Sequence, residues 1–221
     1  MTSHSYRTII ACLAFTICLG ETGFAQKPRP NRPPQFRGNL IEHRDVEYAN
    51  VDVSSVLLDL YLPRNVKNPP LVVWIHGGGW RGGNKGRGGK FVPLLTDAGY
   101  ACASINYRLS GEAKFPAQIN DCKAAIRWLR AHAKKYGYDA TRIGVGGSSA
   151  GGHLVALLGT SGGIRDLEGS VGKHLDQSSS VQAVCDLYGP TDFLQMDKHA
   201  LPGSRLKHND PRSPESLLVG G

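Results

Sequence analysis

The sequence predicts an α/β domain, a mostly parallel β-sheet with helices on both faces. Leu71-Val-Val-Trp-Ile75 is apolar at every position, the composition of a strand covered on both sides, as in a parallel sheet. Ile119, Cys122, Ile126, Leu129, Ala133 and Tyr136 recur at steps of three and four and make one apolar stripe along a long helix. Strand-like and helix-like segments then alternate at the spacing of joined β-α-β units. A length of 221 residues suits one domain.

Taken in order, residues 1–25 have the layout of a secretory signal peptide. Arg7 gives a positive start, residues 9–20 form an apolar core too short to span a bilayer, and Gly23-Phe24-Ala25 offers small residues for cleavage. The expected location is therefore secreted or periplasmic. Residues 26–38 hold four prolines and four basic residues; such a run builds no core and reads as an extended linker. The domain is expected at 39–221. Residues 44–53 and 56–62 have strand composition, and Ser54-Ser55 suggests a hairpin between them. The apolar strand 71–75 comes next. After a glycine-rich loop, residues 91–98 read as a helix stopped by Gly99, and 100–107 as the next strand. The long helix runs from Phe115-Pro116 to about Tyr136, with Gly137 as its stop. A strand from Arg142 leads into a glycine-rich turn and a helix containing Leu154 to Leu158. Residues 159–180 read as a loop, 181–188 as a further apolar strand, and nothing after Gly189-Pro190 is strongly periodic.

The net charge of +8 comes from scattered lysines and arginines. No nucleic-acid-binding module accompanies them, so the charge reads as a solubility and surface property. Cys12 and Cys18 belong to the signal peptide; Cys102, Cys122 and Cys185 fall in apolar segments and are expected as buried free thiols. Their spacing fits no zinc site.

The chemistry concentrates in two turns. Gly147-Ser148-Ser149-Ala150-Gly151 follows a strand and opens a helix, the context in which G-x-S-x-G forms a nucleophile elbow. The chain enters and leaves such a turn at close quarters, so the positions two before and two after the nucleophile must be small. Gly147 and Gly151 meet that need and select Ser149; the rival Ser148 is framed by Gly146 and Ala150. His76-Gly77-Gly78-Gly79-Trp80 follows the apolar strand. Without Cβ atoms such a loop can turn its amides toward an oxyanion. The expected donors are the N–H groups of Gly78, Gly79 and Ala150. His76 belongs to this loop and reads as a shaping hydrogen-bonder; Trp80 reads equally as a pocket wall or as packing. Gly77, Gly79 and Gly82 also spell a dinucleotide-binding fingerprint with Asp97 as its acid. Five glycines between Arg81 and Lys90 leave no helical face there, however, and Asp97 precedes the strand that it should end. The elbow is no phosphate loop either, since His153 stands where a lysine is required.

With both motifs in place, the sequence resembles the α/β-hydrolase superfamily, specifically the secreted esterases of the hormone-sensitive-lipase and feruloyl-esterase-like branch. Asn106-Tyr-Arg-Leu109, the segment from Phe115-Pro116 to Trp128-Leu129, and Tyr188-Gly-Pro-Thr-Asp192 add to the likeness. The resemblance implies a three-layer α/β-hydrolase fold and a cofactor-free carboxylic-ester hydrolase with an acyl-serine intermediate. The implied substrates are acetyl or feruloyl esters of polysaccharides, or small esters, and no membrane span is implied. A family triad runs serine, acid, histidine. Asp192 follows the last strand, but as a cap for the segment beginning at Phe193 it has a simpler role. His199 and His208 lie in a polar tail, and neither is a convincing base. The chain thus reads as the N-terminal part of a longer enzyme, with C-terminal strands of the fold missing. The competing reading is a secreted, non-catalytic ligand- or polysaccharide-binding relative on the same scaffold.

Overall fold

The computed structural model describes residues 40–51 and 54–221; the expected signal peptide and linker lie outside the described residues. Strands β1 (Leu40–Val51) and β2 (Ser54–Pro63) form an antiparallel hairpin. Ser54 and Ser55 belong to β2, paired with Val51 and Asn50, so the expected break falls earlier. β2 is covered on both faces: Leu58 and Leu60 on one and Asp59 and Tyr61 on the other are all buried. Its weak alternation follows from that.

β3 (Pro70–Ile75), α1 (Phe91–Asp97), β4 (Ala101–Ile105), α2 (Ala117–Tyr136), β5 (Asp139–Ser148), α3 (Ala150–Thr160) and β6 (Ala183–Leu187) complete the alternation. The sheet order is β1-β2-β4-β3-β5-β6. β2 pairs antiparallel with β4, and the β4-β3, β3-β5 and β5-β6 pairs are parallel. The side-chain period of two divides β3. Leu71, Val73 and Ile75 join the main core with Ile119, Ile126, Leu129, Leu154 and Leu158 of α2 and α3. Trp74 faces the other way and stacks on Phe91 at 3.8 Å between ring centres. Val92 of α1 covers Tyr61 and Cys102 on that second face. Helices thus lie on both faces, and the predicted stripe of α2 is buried except for the half-exposed Tyr136. Gly137 ends α2 at φ 79°, a left-handed conformation that glycine adopts without strain.

Two short helices escape the sequence pattern. The loop 161–182 contains α4 (Arg165–Glu168), and the tail contains α5 (Pro214–Val219). Ser213 caps α5 by accepting from the Ser216 N–H, and Pro214 occupies its first turn, a favourable start. Leu218 enters the core, and its carbonyl accepts from the Phe115 N–H. The expectation for the cysteines needs one correction. Cys102 and Cys122 are buried free thiols, Cys102 pushed up to about 12 by burial, but Cys185 is exposed. It lies on β6, which among the described residues has a neighbouring strand on one side only.

Candidate active site

β5 delivers Ser149 to the C-terminal end of the parallel strands, and α3 starts at the next residue. Ser149 has φ 54° and ψ −123°, a strained conformation for a residue with a side chain. Its surroundings hold it there. The Ser149 N–H donates to the Leu187 carbonyl at 2.9 Å, and its own carbonyl accepts from the His153 N–H at 3.0 Å. A Cβ on Gly151 would lie 2.2 Å from the Ile75 carbonyl oxygen, and one on Gly147 would lie 2.4 Å from the Gly151 oxygen. Both positions therefore require glycine, as the elbow geometry demands. Ser148 ends β5 in register with Leu187; the positive φ belongs to Ser149 alone of the pair.

The glycine loop after β3 crosses directly over this turn. A Cβ on Gly77 would stand 2.5 Å from the Ser148 oxygen. Gly78 and Gly79 take φ values of 126° and 59°. Among the described residues neither of their N–H groups is donated to a protein acceptor, while the Gly78 carbonyl accepts from Arg81 and Gly82. The Ala150 N–H, in the first turn of α3, has no acceptor within the helix. The turns at 78–79 and 149–150 thus carry free donors, and Gly78 and Ser149 meet in one cleft.

A cavity of about 290 Å³ opens over them, lined by Ser148, Ser149, His76, Gly77 and Gly78, with Trp74, Arg87, Phe91 and Tyr188 as walls. Of these walls, the sequence motifs named Tyr188 alone, within Tyr188-Gly-Pro-Thr-Asp192, and gave it no role. Trp74 reads as ordinary strand core, and Arg87 lies in a loop whose glycines conceal its fixed position. That position comes from a buried ion cluster. Asp59, 2% exposed, accepts from Lys85 Nζ at 2.6 Å, Arg44 Nη1 at 3.0 Å and the Asp45 N–H at 2.9 Å. Burial pushes the Asp59 carboxyl up, but these hydrogen bonds outweigh it and hold the group below its usual range. Asn106 Oδ1 accepts from the Lys85 N–H, and Ser104 Oγ donates to the Lys85 carbonyl. Together they anchor the 3₁₀ turn Lys85–Lys90 that carries Arg87.

His76 is buried with its Nδ1 2.9 Å from the Gly77 carbonyl and its ring stacked on Tyr107, whose hydroxyl donates to the His76 carbonyl. Burial lowers its pKa, which suits a neutral loop-shaping ring. Trp80 does not line the cavity. It is 1% exposed and packs edge-on against His153 and Phe193, so of its two readings packing holds. The dinucleotide reading fails on geometry: Asp97 ends α1, and a 3₁₀ turn follows the glycines.

The expected triad partners are not assembled. Asp192, His199 and His208 do not line the cavity. Asp192 is exposed and stands at the N-cap of the 3₁₀ turn Phe193–Gln195, though its side chain makes no cap hydrogen bond. His199 is exposed. His208 Nδ1 lies 3.2 Å from Glu215 Oε2, outside hydrogen-bonding geometry. Among the described residues no group of three or more His, Cys, Asp or Glu side chains is placed to hold a metal ion, and no helix is long and apolar enough to cross a membrane.

Comparison with known proteins places this cleft in context. Residues 58–221 match the BD-FAE family. Esterase LipC of Mycobacterium tuberculosis is 34% identical over 172 residues, a match that takes in 75% of this chain and 42% of LipC. The chain therefore spans less than half the length of that relative. Among solved structures, a truncated carbohydrate esterase from gut microbiota is 37% identical with a TM-score of 0.76, covering 86% of this chain and 68% of that one. A bifunctional GH43-CE protein of Bacteroides eggerthii is 41% identical with a TM-score of 0.72, covering 81% of this chain and 24% of that one. The six-stranded sheet, the elbow at Ser149 and these likenesses agree on a three-layer α/β-hydrolase fold of the hormone-sensitive-lipase-like branch. By the match over residues 58–221, this chain belongs to the BD-FAE family.

Proposed function

We propose that the protein is a carboxylic-ester hydrolase that works through an acyl-serine intermediate on Ser149. The observation that carries the reading is the strained Ser149 backbone in a cavity that it lines with Gly78, whose N–H, like those of Gly79 and Ala150, has no protein acceptor. Ser149 Oγ attacks the ester carbonyl and its proton passes to a base. The carbonyl oxygen takes the negative charge and receives hydrogen bonds from the three N–H groups. The C–O bond to the alcohol then breaks, the alcohol leaves with the proton, and water repeats the sequence on the acyl-serine. Each such donor contributes roughly 10²–10³ in rate. Among the described residues no histidine side chain is hydrogen-bonded to Ser149, and the base and its carboxylate are assigned to none of them.

A carbohydrate esterase and a GH43-CE protein are both similar to this chain, which supports an ester carried on a carbohydrate; acetyl or feruloyl esters of a polysaccharide are the substrates proposed. The charged leader and apolar core of residues 1–25 support action outside the cytoplasm. The missing base favours one competing reading, a non-catalytic polysaccharide-binding protein. Treatment of the naturally produced protein with a fluorophosphonate, followed by mass spectrometry, separates the two. One adduct on Ser149, lost in Ser149→Ala, is the expected result. A protein that binds polysaccharide esters but acquires no adduct sinks the hydrolase reading. With esters as substrates, Ser149→Ala lowers kcat by roughly 10⁴-fold or more.

A further inference from the structure

Lysines and arginines that are scattered in the sequence gather in the fold. Arg81, Arg205, Lys207 and Arg212 surround a groove of about 430 Å³. Asp210 takes up Arg212, whose Nε and Nη2 lie 3.2 Å from its two carboxylate oxygens. The other three cations are exposed; Arg81 and Arg205 have no side-chain partner among the described residues, and the Asp197 carboxylate interacts with Lys207. The groove adjoins the cleft. Gly78 lines the Ser149 cavity, Gly79 backs onto Pro214 with room for a Cβ only 3.1 Å from it, and Pro214 lines the groove with Arg81. One short loop therefore has the free N–H of Gly78 on one side and the exposed cation Arg81 on the other. A further cation without a side-chain partner, Arg87, stands in the wall of the Ser149 cavity itself.

We infer that the esters this site takes are carried on an acidic, uronic-acid-bearing glycan, whose carboxylates occupy the Arg81–Arg205–Lys207 groove while Arg87 meets a carboxylate near the ester. The inference rests on the esterase reading for its chemistry, but the groove binds whether or not Ser149 turns over. Guanidinium groups match carboxylates with paired hydrogen bonds. Leu206, 52% exposed in the same groove, offers an apolar contact to a sugar ring. Asp210 keeps lone pairs beyond those engaged by Arg212 and offers them to sugar hydroxyls, which a glycan carries on every residue.

Calorimetric titration of the Ser149→Ala protein with an oligogalacturonate decamer, a xylo-oligosaccharide of equal length and a single-stranded oligonucleotide of equal charge tests this. The oligogalacturonate is expected to bind at least about tenfold more tightly than either competitor, and the triple variant R81Q/R205Q/K207Q to lose at least about tenfold in that affinity. Single variants serve if the triple variant does not fold, each weakening oligogalacturonate binding and leaving the thermal midpoint unchanged. Equal affinity for the neutral xylo-oligosaccharide, equal or tighter binding of the oligonucleotide, or undiminished binding in the variants overturns the inference. Fluorophosphonate labelling without uronate preference rejects this proposal alone; uronate preference without labelling rejects the hydrolase reading and leaves the glycan site standing.

Discussion

His153 lies one helical turn beyond Ser149, edge-on to Trp80 at 5.3 Å between ring centres and tilted against Phe193 at 5.2 Å. Its Nδ1 is buried without a hydrogen-bond partner. Burial lowers its pKa to about 4, against an opposing pull from the Asp186 carboxylate. The folded protein thus resists a proton that the unfolded chain accepts near pH 6.5. Stability from this ring is complete above that value and is lost as pH falls from about 6.5 toward 4, a loss of about 3 kcal/mol. His153→Phe keeps a ring between Trp80 and Phe193 and has no proton to bind. Its urea-denaturation free energies at pH 7 and pH 4.5 should differ by about 2 kcal/mol less than those of the unaltered protein. An identical acid slope in both proteins would show that the ring titrates normally. The sequence announces this part of the site only in outline. Gly147, Ser149 and Gly151 are legible because a turn this tight admits few residues. Trp74 and Arg87 are not, since they enter the cavity through tertiary packing that no local spacing encodes.

At the scale of elements, α2 repays attention to its polar residues. Its apolar stripe is readable from the three- and four-residue steps, yet Lys123 and Arg127, which are not part of that stripe, are 0% and 3% exposed. The segment 161–180 folds over them. Glu168, at the end of α4, accepts from Lys123 Nζ at 2.7 Å, Arg127 Nη1 at 3.2 Å and Ser179 Oγ at 2.8 Å. Burial pushes the Glu168 carboxyl up, but the bonds from Lys123, Ser179 and the Gly163 N–H prevail and hold it below its usual value. Its stabilising effect is therefore full above the ordinary carboxylate range and is lost as pH falls through the lowered value. Glu168→Gln leaves the buried Lys123 ammonium with neutral acceptors, among them the Ser161 carbonyl, and with no carboxylate to balance its charge. Removing one partner of a buried pair costs about 3 kcal/mol, so the variant should denature at lower urea concentration at pH 7. A change within about 0.5 kcal/mol, as for a surface position, would contradict the pairing. The loop was legible as a loop; its anchoring was not, because Lys123 and Glu168 meet across 45 residues of sequence.

For the molecule as a whole, the order of strands and helices follows from periodicity, because each segment carries its own apolar pattern. What periodicity does not carry is how many neighbours a strand has. β6 is an apolar strand by composition, yet Val184 is 43% exposed and Cys185 is exposed. Among the described residues β5 is the one strand that pairs with β6. Beside it, on the Trp74 side of the sheet, an apolar hollow of about 460 Å³ is lined by Val72, Trp74, Gly144, Gly146, Ala183 and Cys185. The two glycines deepen it: a Cβ on Gly146 would already touch the Trp74 ring at 3.4 Å. An unpaired apolar edge next to such a hollow is a template for pairing with another chain. The 221-residue chain should therefore self-associate under reducing conditions and bind a hydrophobic dye. Cys185→Lys places a charge at the edge and at the rim of the hollow, the device by which exposed edge strands avoid pairing. Sedimentation should show the variant shifted toward monomer and dye fluorescence should fall, while stability changes by no more than about 0.5 kcal/mol at so exposed a position. A chain that already sediments as a monomer without binding the dye would mean that the edge and the hollow are covered in solution.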